Sequence, residues 1–446
     1  MGVLTQPDPR DVEAAFRAVP GLYVIGSLER GVTIYSQQVR AHNLAWALWE
    51  NRNKSHRKIG NVAIVGGGIT GLTMAASLLS LFERDIAVTL FERSWDLCPF
   101  QQGADTRWVH PRIYDWPKAG SRAPSASLPV LDWTEGRGSD VARTIVSEFS
   151  RFANAFAKPE DGLTVYLGLQ HFQIEESASK ISWVAHKARR GDDFFHVDKS
   201  EGTSAEFETI ILTAGFGTET ISPGYRTESY WRNEQLGQPP LDGAQRRYLV
   251  SGYGDGALVD LCRLTIERFR QDTIVYELFE DDLEEVEGRF ADAIHLLGRE
   301  ANIFDLIRDR EDSLLRKAME RLGNRIRKDT RVTLHLRGRN NEAKNFQYIF
   351  GPHSSFFHRL ITYLLYRCGA FALDFSDLAA AVSRHHIDAT NVVCRYGANT
   401  LEHLQSFFAD PSTVAPRFIE MKAKQLQMPQ RLWTPGTFPH YSNKQA

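Results

Sequence analysis

Short apolar runs, each followed by a glycine turn and then by residues of helical periodicity, recur along this chain. The run "NVAIV" at 61–65 predicts a strand buried on both faces, Gly71–Phe82 the helix after it, and "IAVTLFE" at 86–92 a second strand. From Leu163 to Leu212, β-like stretches (Val165–Ile174, Ile181–Val184, Phe194–Val197, Thr209–Leu212) alternate with charged turns and predict a meander. A second strand, turn and helix passage is "RRYLVSGYGDGALVDLCRL" at 246–264, with strand-like "TIVYELF" after it. Residues 291–328 read as helical, with Leu315, Met319, Leu322 and Ile326 as a core stripe. Late strands are expected at "RVTLHL", "FALDF" and "NVVCRYG", separated by the helix Phe356–Tyr366. Ahead of all this, "YVIGSLERGVTIYSQQ" holds two β-like runs around a turn, and "VRAHNLAWALWENRNK" reads as a helix.

Strands alternating with helices place the chain in the α/β class, and 446 residues suggest two or three packed units. The expected division is a leader at 1–58 packing on the core, a dinucleotide-type domain with the meander at 59–235, a second nucleotide-binding-like or substrate unit with a helical excursion at 240–336, and a C-terminal segment at 337–446 returning to the first domain. The polar stretch Asn51–Lys58 marks the first boundary. Leaders of this kind pack on the core or meet a second copy or a protein partner.

Charge and cysteine content narrow the function. Lys+Arg at 53 against Asp+Glu at 55 gives a net charge of -2, which supplies no global attraction to nucleic acid or to an anionic membrane. No apolar run reaches the ~18 residues a spanning helix needs, and the opening residues lack the layout of a secretory signal. The four cysteines, Cys98, Cys262, Cys368 and Cys394, form no CxxC pair, so neither a zinc site nor a disulfide framework is expected. These features suit a soluble protein of a reducing, cytoplasmic-type compartment. The acidic run Glu280–Glu287 reads as a solvated helix face rather than a metal site.

The strongest chemical signal is "VGGGITGLT" after the first strand. Gly66 permits a tight turn, Gly68 lets the backbone approach a diphosphate, and Gly71 lets helix and strand pack closely. Free N–H groups of Gly67, Gly68, Ile69 and Thr70 then face the anion at a helix N-terminus. Glu92 ends the second strand, at the spacing of ~20 residues where an acid takes both ribose hydroxyls of an adenosine. Loop, helix, second strand and acid together predict dinucleotide binding. FAD and NAD share the ADP half, so these residues alone do not separate them.

This segment resembles the FAD-binding opening of the two-dinucleotide-domain flavoproteins, a superfamily of glutathione-reductase-like enzymes, amine oxidases and flavin monooxygenases. Glu92-Arg93 resembles their usual end of the second strand, and "FETIILTAGFG" at 207–217 is similar to their second motif, where the chain recrosses the FAD domain. That motif usually reads Ala-Thr-Gly; here it is Thr213-Ala214-Gly215. The resemblance covers roughly residues 60–260. It implies an FAD-type Rossmann domain with an inserted meander and an FAD-dependent oxidoreductase, of oxidase, monooxygenase or dehydrogenase type. The substrate would be a small molecule or electron acceptor. A contrasting alternative is a dinucleotide-binding regulatory or sensing module without turnover.

The second loop, "GYGDGA", has two readings. Gly252, Gly254 and Ala257 form a second fingerprint for NAD(P)H, with Glu277 as its ribose acid; or Gly254-Asp255 is the flavoprotein Gly-Asp pair whose carboxylate holds the ribityl hydroxyls. A carboxylate at the helix start opposes a diphosphate there, which weighs against tight NAD(P)H binding. Near the reacting centre, "DTRWVHPRIYDWP" at 105–117 offers Arg107 to neutralise a diphosphate, Trp108 or Tyr114 to stack, and His110 to exchange a proton. "GPHSSFFHRL" offers His353, with Ser354 and Ser355 as helix caps. His385, His386 and Arg395 are weaker candidates. No HExxH or GxSxG is present, so hydrolase chemistry has no local signature.

Overall fold

The strand predicted at 61–65 lies near the middle of an eight-stranded sheet of order β1-β2-β10-β3-β4-β7-β8-β9. Here β1 is Arg17–Val19, β2 Leu22–Val24, β3 Asn61–Val65, β4 Ala87–Phe91, β7 Leu163–Ile174, β8 Lys180–Arg190, β9 Phe195–Glu206 and β10 Thr209–Leu212; the two-residue β5 (Trp108–Val109) and β6 (Gly136–Arg137) lie outside it. The computed structural model describes residues 7–26, 32–55, 59–156, 162–175, 179–190, 195–215, 217, 219–225, 228–297, 302–336, 346–426 and 430–439. Phe194 and residues 56–58 of the expected boundary lie outside them. The chain divides into two units, one of Met1–Asp105, Ser125–Gly217 and Asn399–Ala446, the other of Thr106–Pro124 and Thr218–Ala398.

In the first unit, β2, β10, β3, β4 and β7 are mutually parallel, and β7, β8 and β9 form the antiparallel meander. Val62, Ala63, Ile64 and Val65 are all buried, as a central parallel strand requires. Helix α3 (Ile69–Phe82) is apolar on nearly every side and buried along its length. It joins β3 to β4. The leader supplies α1 (Pro9–Phe16), the strands β1 and β2, and α2 (Ile34–Ser55), which leads from β2 to β3. Of its two β-like runs only the first is a strand. The second is the start of α2, because Thr33 and Ser36 form a reciprocal capping pair, with Thr33 N to Ser36 Oγ at 2.9 Å and Ser36 N to Thr33 Oγ1 at 3.0 Å. Helices α4 (Gly138–Phe156), α12 (Thr400–Gln405) and α13 (Ala415–Leu426) complete this unit.

The second unit is built on four parallel strands, β11 (Arg246–Ser251), β12 (Thr330–His335), β13 (Phe371–Asp374) and β14 (Val392–Cys394), in the order β13-β12-β11-β14. Counted within the unit this is order 3-2-1-4, the first part of a doubly wound sheet. Helix α5 (Asp255–Thr265) follows β11. The helical excursion comprises α6 (Ile274–Phe279), α7 (Leu283–Leu297), α8 (Phe304–Arg308) and α9 (Ser313–Gly323); α10 (Phe356–Arg367) and α11 (Leu378–Arg384) lie between the later strands. The strand expected at 273–279 is therefore the helix α6. Its Glu277 is tied one turn back to the Thr273 hydroxyl at 2.5 Å and paired with Arg325. Leu315 and Leu322 are buried, as expected of a core stripe. Several carboxylates of the acidic run meet basic side chains, Glu280 with Arg321, Asp282 with Lys317 and Glu285 with Arg289. No cluster among the described residues is arranged to hold a metal ion, and no described helix is long and apolar enough to cross a membrane.

Candidate functional site

Each glycine of the first loop answers to a different steric demand. Gly66 has φ +113, and a Cβ there would lie 2.8 Å from both Ala214 Cα and Thr213 O. A Cβ on Gly71 would stand 1.9 Å from Gly66 O, so the first turn of α3 packs directly on the loop. At Gly68 the space is open: a Cβ would have nothing within 4 Å, and φ -73 with ψ 177 is a conformation any residue adopts. That glycine is not required by the chain's own packing. It is the N-cap of α3, makes no side-chain capping bond, and is followed by a first turn without an acidic residue. The helix thus presents its first amides, those of Ile69, Thr70 and Gly71, to an uncapped end where an anion is favoured.

Glu92 faces this loop for reasons that begin in the core. Phe91 packs against Tyr166 (centroids 5.5 Å apart) and Trp183 (4.9 Å), which anchors the end of β4. The next side chain points to the opposite face of the sheet. Its carboxylate accepts Gly67 N through Oε2 at 2.7 Å and Ser94 N through Oε1 at 2.7 Å. Glu92 is 8% exposed, and each oxygen keeps a second lone pair for a ribose hydroxyl. Arg93 beside it is exposed.

Parallel pairing of Leu212 with Val65 brings Thr213-Ala214-Gly215 alongside the same loop. The Thr213 hydroxyl bonds the carbonyls of Val65 (3.1 Å) and Gly66 (3.0 Å). The inverted order of this motif therefore puts a hydroxyl where it braces the glycine turn. Gly215, φ +71, has open space around its Cβ position. His403 on α12 was not visible as a site residue in the sequence. Its Nε2 lies 3.2 Å from Ala214 O, and burial holds its pKa below the ordinary value.

The remaining candidates belong to the second unit, where most have protein partners. Arg107 is buried, with Nη1 2.6 Å from Asp260, Nη2 3.4 Å from Glu234, Nε 2.6 Å from Tyr230 O and its guanidinium over the Tyr230 ring. Arg395 holds the other Asp260 oxygen at 2.7 Å and Glu219 at 3.0 Å. The expectation that Arg107 neutralises a diphosphate meets this engagement: its charge is already matched inside the core. Asp255 opens α5, and its carboxylate accepts from Tyr114, from Ser355 N (3.0 Å) and Oγ (3.1 Å), and from His358 Nδ1 (2.5 Å). Tyr114 is thus a ligand of Asp255. Ser355 caps α10, as expected. Gly254 is the N-cap of α5. Glu277, on α6, does not end a strand; the last residue of β12 is His335, bonded to Ser251 Oγ at 2.7 Å. His110 Nδ1 accepts Arg112 N at 3.0 Å, and His353 packs against Tyr253 and Tyr348. Trp108 lies under Arg270, and His385 bonds Asp374 at 2.9 Å.

Burial alone raises the carboxyls of Asp255 and Asp260, but His358 on one side and Arg107 with Arg395 on the other outweigh it, and both pKa values fall below the ordinary aspartate value. A folded-state pKa below the unfolded one stabilises fully above the unfolded value of about 3.9 and is lost as pH falls through the folded one. The second unit is therefore expected to lose stability below about pH 4. Acid titration followed by tryptophan fluorescence checks this; a flat stability from pH 7 to about 2 contradicts it.

A family model described as FAD dependent oxidoreductase matches residues 61–345, well over half of the chain. The chain belongs to that family. Comparisons with curated proteins and with solved structures give no significant match. The match begins at the first residue of β3 and takes in the glycine loop, Glu92 and the Thr213 motif. This FAD-dependent oxidoreductase relationship accords with the geometry: a turn with room only at Gly68, an uncapped helix start, and a buried acid at the neighbouring strand end. The family binds FAD, and the residues present fit that group. Nothing in the comparisons favours a purely regulatory role.

Proposed function

We propose that the protein oxidises a small organic substrate through FAD and does not draw its electrons from NAD(P)H. The observation that carries this reading is the Asp255 carboxylate at the start of α5, held by Tyr114, Ser355 and His358. In the doubly wound sheet of the second unit, that is the place where a nicotinamide dinucleotide would rest its diphosphate. A fixed carboxylate there repels a second anion. His335, rather than an acid, ends the next strand, which removes the usual ribose contact.

FAD supplies the two-electron redox chemistry when bound. In this reading the amides of Gly68, Ile69 and Thr70 hold its diphosphate, Glu92 takes the adenosine ribose, and Thr213 keeps the turn rigid. His110 and His353 are the proposed proton carriers; loss of one limb of the kcat pH profile in His110→Ala or His353→Ala supports the assignment, and unchanged profiles in both oppose it. The donor is tested by anaerobic mixing. NADH and NADPH are expected to leave the flavin band near roughly 450 nm intact while a member of an amine, amino-acid and thiol panel bleaches it. Rapid bleaching by either nicotinamide refutes the reading.

A further inference from the structure

The leader carries a second polar feature that the first glycine loop does not use. On α2, Gln38 is fully partnered: its Nε2 donates to Thr73 Oγ1 and to Leu131 O, both at 3.1 Å, and its Oε1 accepts Trp133 Nε1 at 2.6 Å. Gln37 beside it is 6% exposed, yet neither its Nε2 nor its Oε1 has a partner among the described residues. Arg40, one turn on and 3% exposed, has an unpartnered Nε and donates from Nη1 to Ser36 O at 3.0 Å. Among the described residues no ion pair joins it to a carboxylate, and burial pushes its pKa down to about 10. A buried cation without a counter-charge and a buried amide without a partner cost the fold several kcal/mol in the absence of a compensating group, roughly 1–3 for the amide alone.

Their position says what that group is. Gln38 on Thr73 and His42 on Ser77 (2.9 Å) show that α2 and α3 run side by side in the same direction. Their N-termini therefore reach the same rim, the carboxyl ends of the parallel strands. In this register Ser36 is level with Gly71, and the Arg40 guanidinium reaches back to Ser36. Along the rim the order is β4, β3, β10, β2, with Val65, Leu212 and Val24 in register. On the flavoprotein reading, an adenosine held by Glu92 would lie on the β4 side of the diphosphate loop. The rest of the FAD would then lie on the other side, toward the ends of β10 and β2, where Gly26 turns the chain at φ +98 and α2 begins.

We propose that Gln37 and Arg40, on the leader and outside the matched segment 61–345, bind the ribityl–isoalloxazine half of the cofactor. The proposal rests on the flavoprotein reading above. Gln37 offers a donor and an acceptor from one amide, which suits the alternating N–H and C=O edge of the flavin pyrimidine ring. Arg40 supplies positive charge and a planar fork beside it.

The test separates the two halves of the ligand. The full-length protein, freed of its flavin, is titrated with ADP and with FAD as wild type and as the Gln37→Met, Arg40→Met double variant. The double variant is expected to bind ADP like the wild type and FAD about 10- to 100-fold more weakly, the scale of lost charge-assisted hydrogen bonds. Its unliganded melting temperature should be equal or higher, since orphaned polar groups have been replaced by apolar ones. Should the double variant not fold, Gln37→Met alone is expected to give the same split with a smaller loss. Unchanged FAD affinity, or equal weakening of ADP and FAD, overturns the assignment of these residues while leaving the flavoprotein reading standing. A wild type that binds neither nucleotide overturns both.

Discussion

Gly68→Val is expected to fold and to emerge from purification without FAD. The backbone at Gly68 is in a region open to any residue, and a Cβ there meets no protein atom within 4 Å, so the side chain enters open space, where the proposed function puts a phosphate, rather than the protein's own core. Melting of the unliganded protein should change by under about 1 kcal/mol, whereas cofactor occupancy falls to near zero. Gly71→Val is the contrast: its Cβ would sit 1.9 Å from the Gly66 carbonyl, so the expected defect is in folding as well as binding. Glu92→Ala should act between these, weakening ADP binding by about 1–3 kcal/mol. Flavin occupancy and calorimetric melting on the same preparations check all three. A Gly68→Val protein that keeps its flavin removes the loop from the site.

The second large effect concerns stability. Asp260→Asn leaves the Arg107 and Arg395 guanidinia facing one neutral amide in a fully buried setting, with Glu234 and Glu219 as their remaining acids. Removing one partner from such a network typically costs about 3–5 kcal/mol, because the surviving charges stay desolvated. Urea unfolding of the variant should show that loss. A change below about 1 kcal/mol would mean that Asp260 contributes little beyond packing. Arg107→Met should behave similarly, and with cofactor affinity unchanged, because its charge is spent inside the second unit.

The parts of this protein that were legible in its sequence are those fixed by local sterics. Gly71 is required by its contact with the nearby Gly66 carbonyl and Gly66 by its own positive φ, although the atoms a Cβ on Gly66 would meet belong to the distant Thr213 and Ala214. The strand before them and the helix after them follow from uninterrupted apolar runs, so one pass along the chain finds the loop. Glu92 was legible for the same reason, as the acid ending the next strand. The meander and the parallel sheet followed from repeated strand-like stretches between charged turns. What could not be read was non-local. Nothing near Arg107 announces that Asp260, far along the chain, will neutralise it, and an arginine in a loop of aromatics reads equally well as a ligand contact. The run 273–279 has the β-branched composition of a strand, but α6 is decided by packing and by the Thr273–Glu277 and Arg325 bonds. The leader's second β-like run begins α2 through a Thr33–Ser36 cap that its Val and Ile content conceals. Gln37 and Arg40 looked like ordinary polar positions of a helix until the unpartnered Gln37 amide and Arg40 Nε, both buried, distinguished them.

Mass spectrometry of the small molecules released when the purified wild-type protein is denatured identifies the ligand of the first glycine loop outright. FAD, at close to one molecule per chain, is the predicted result. Release of NAD(P) alone, or of no nucleotide from a protein that also fails to take up FAD on reconstitution, would contradict it.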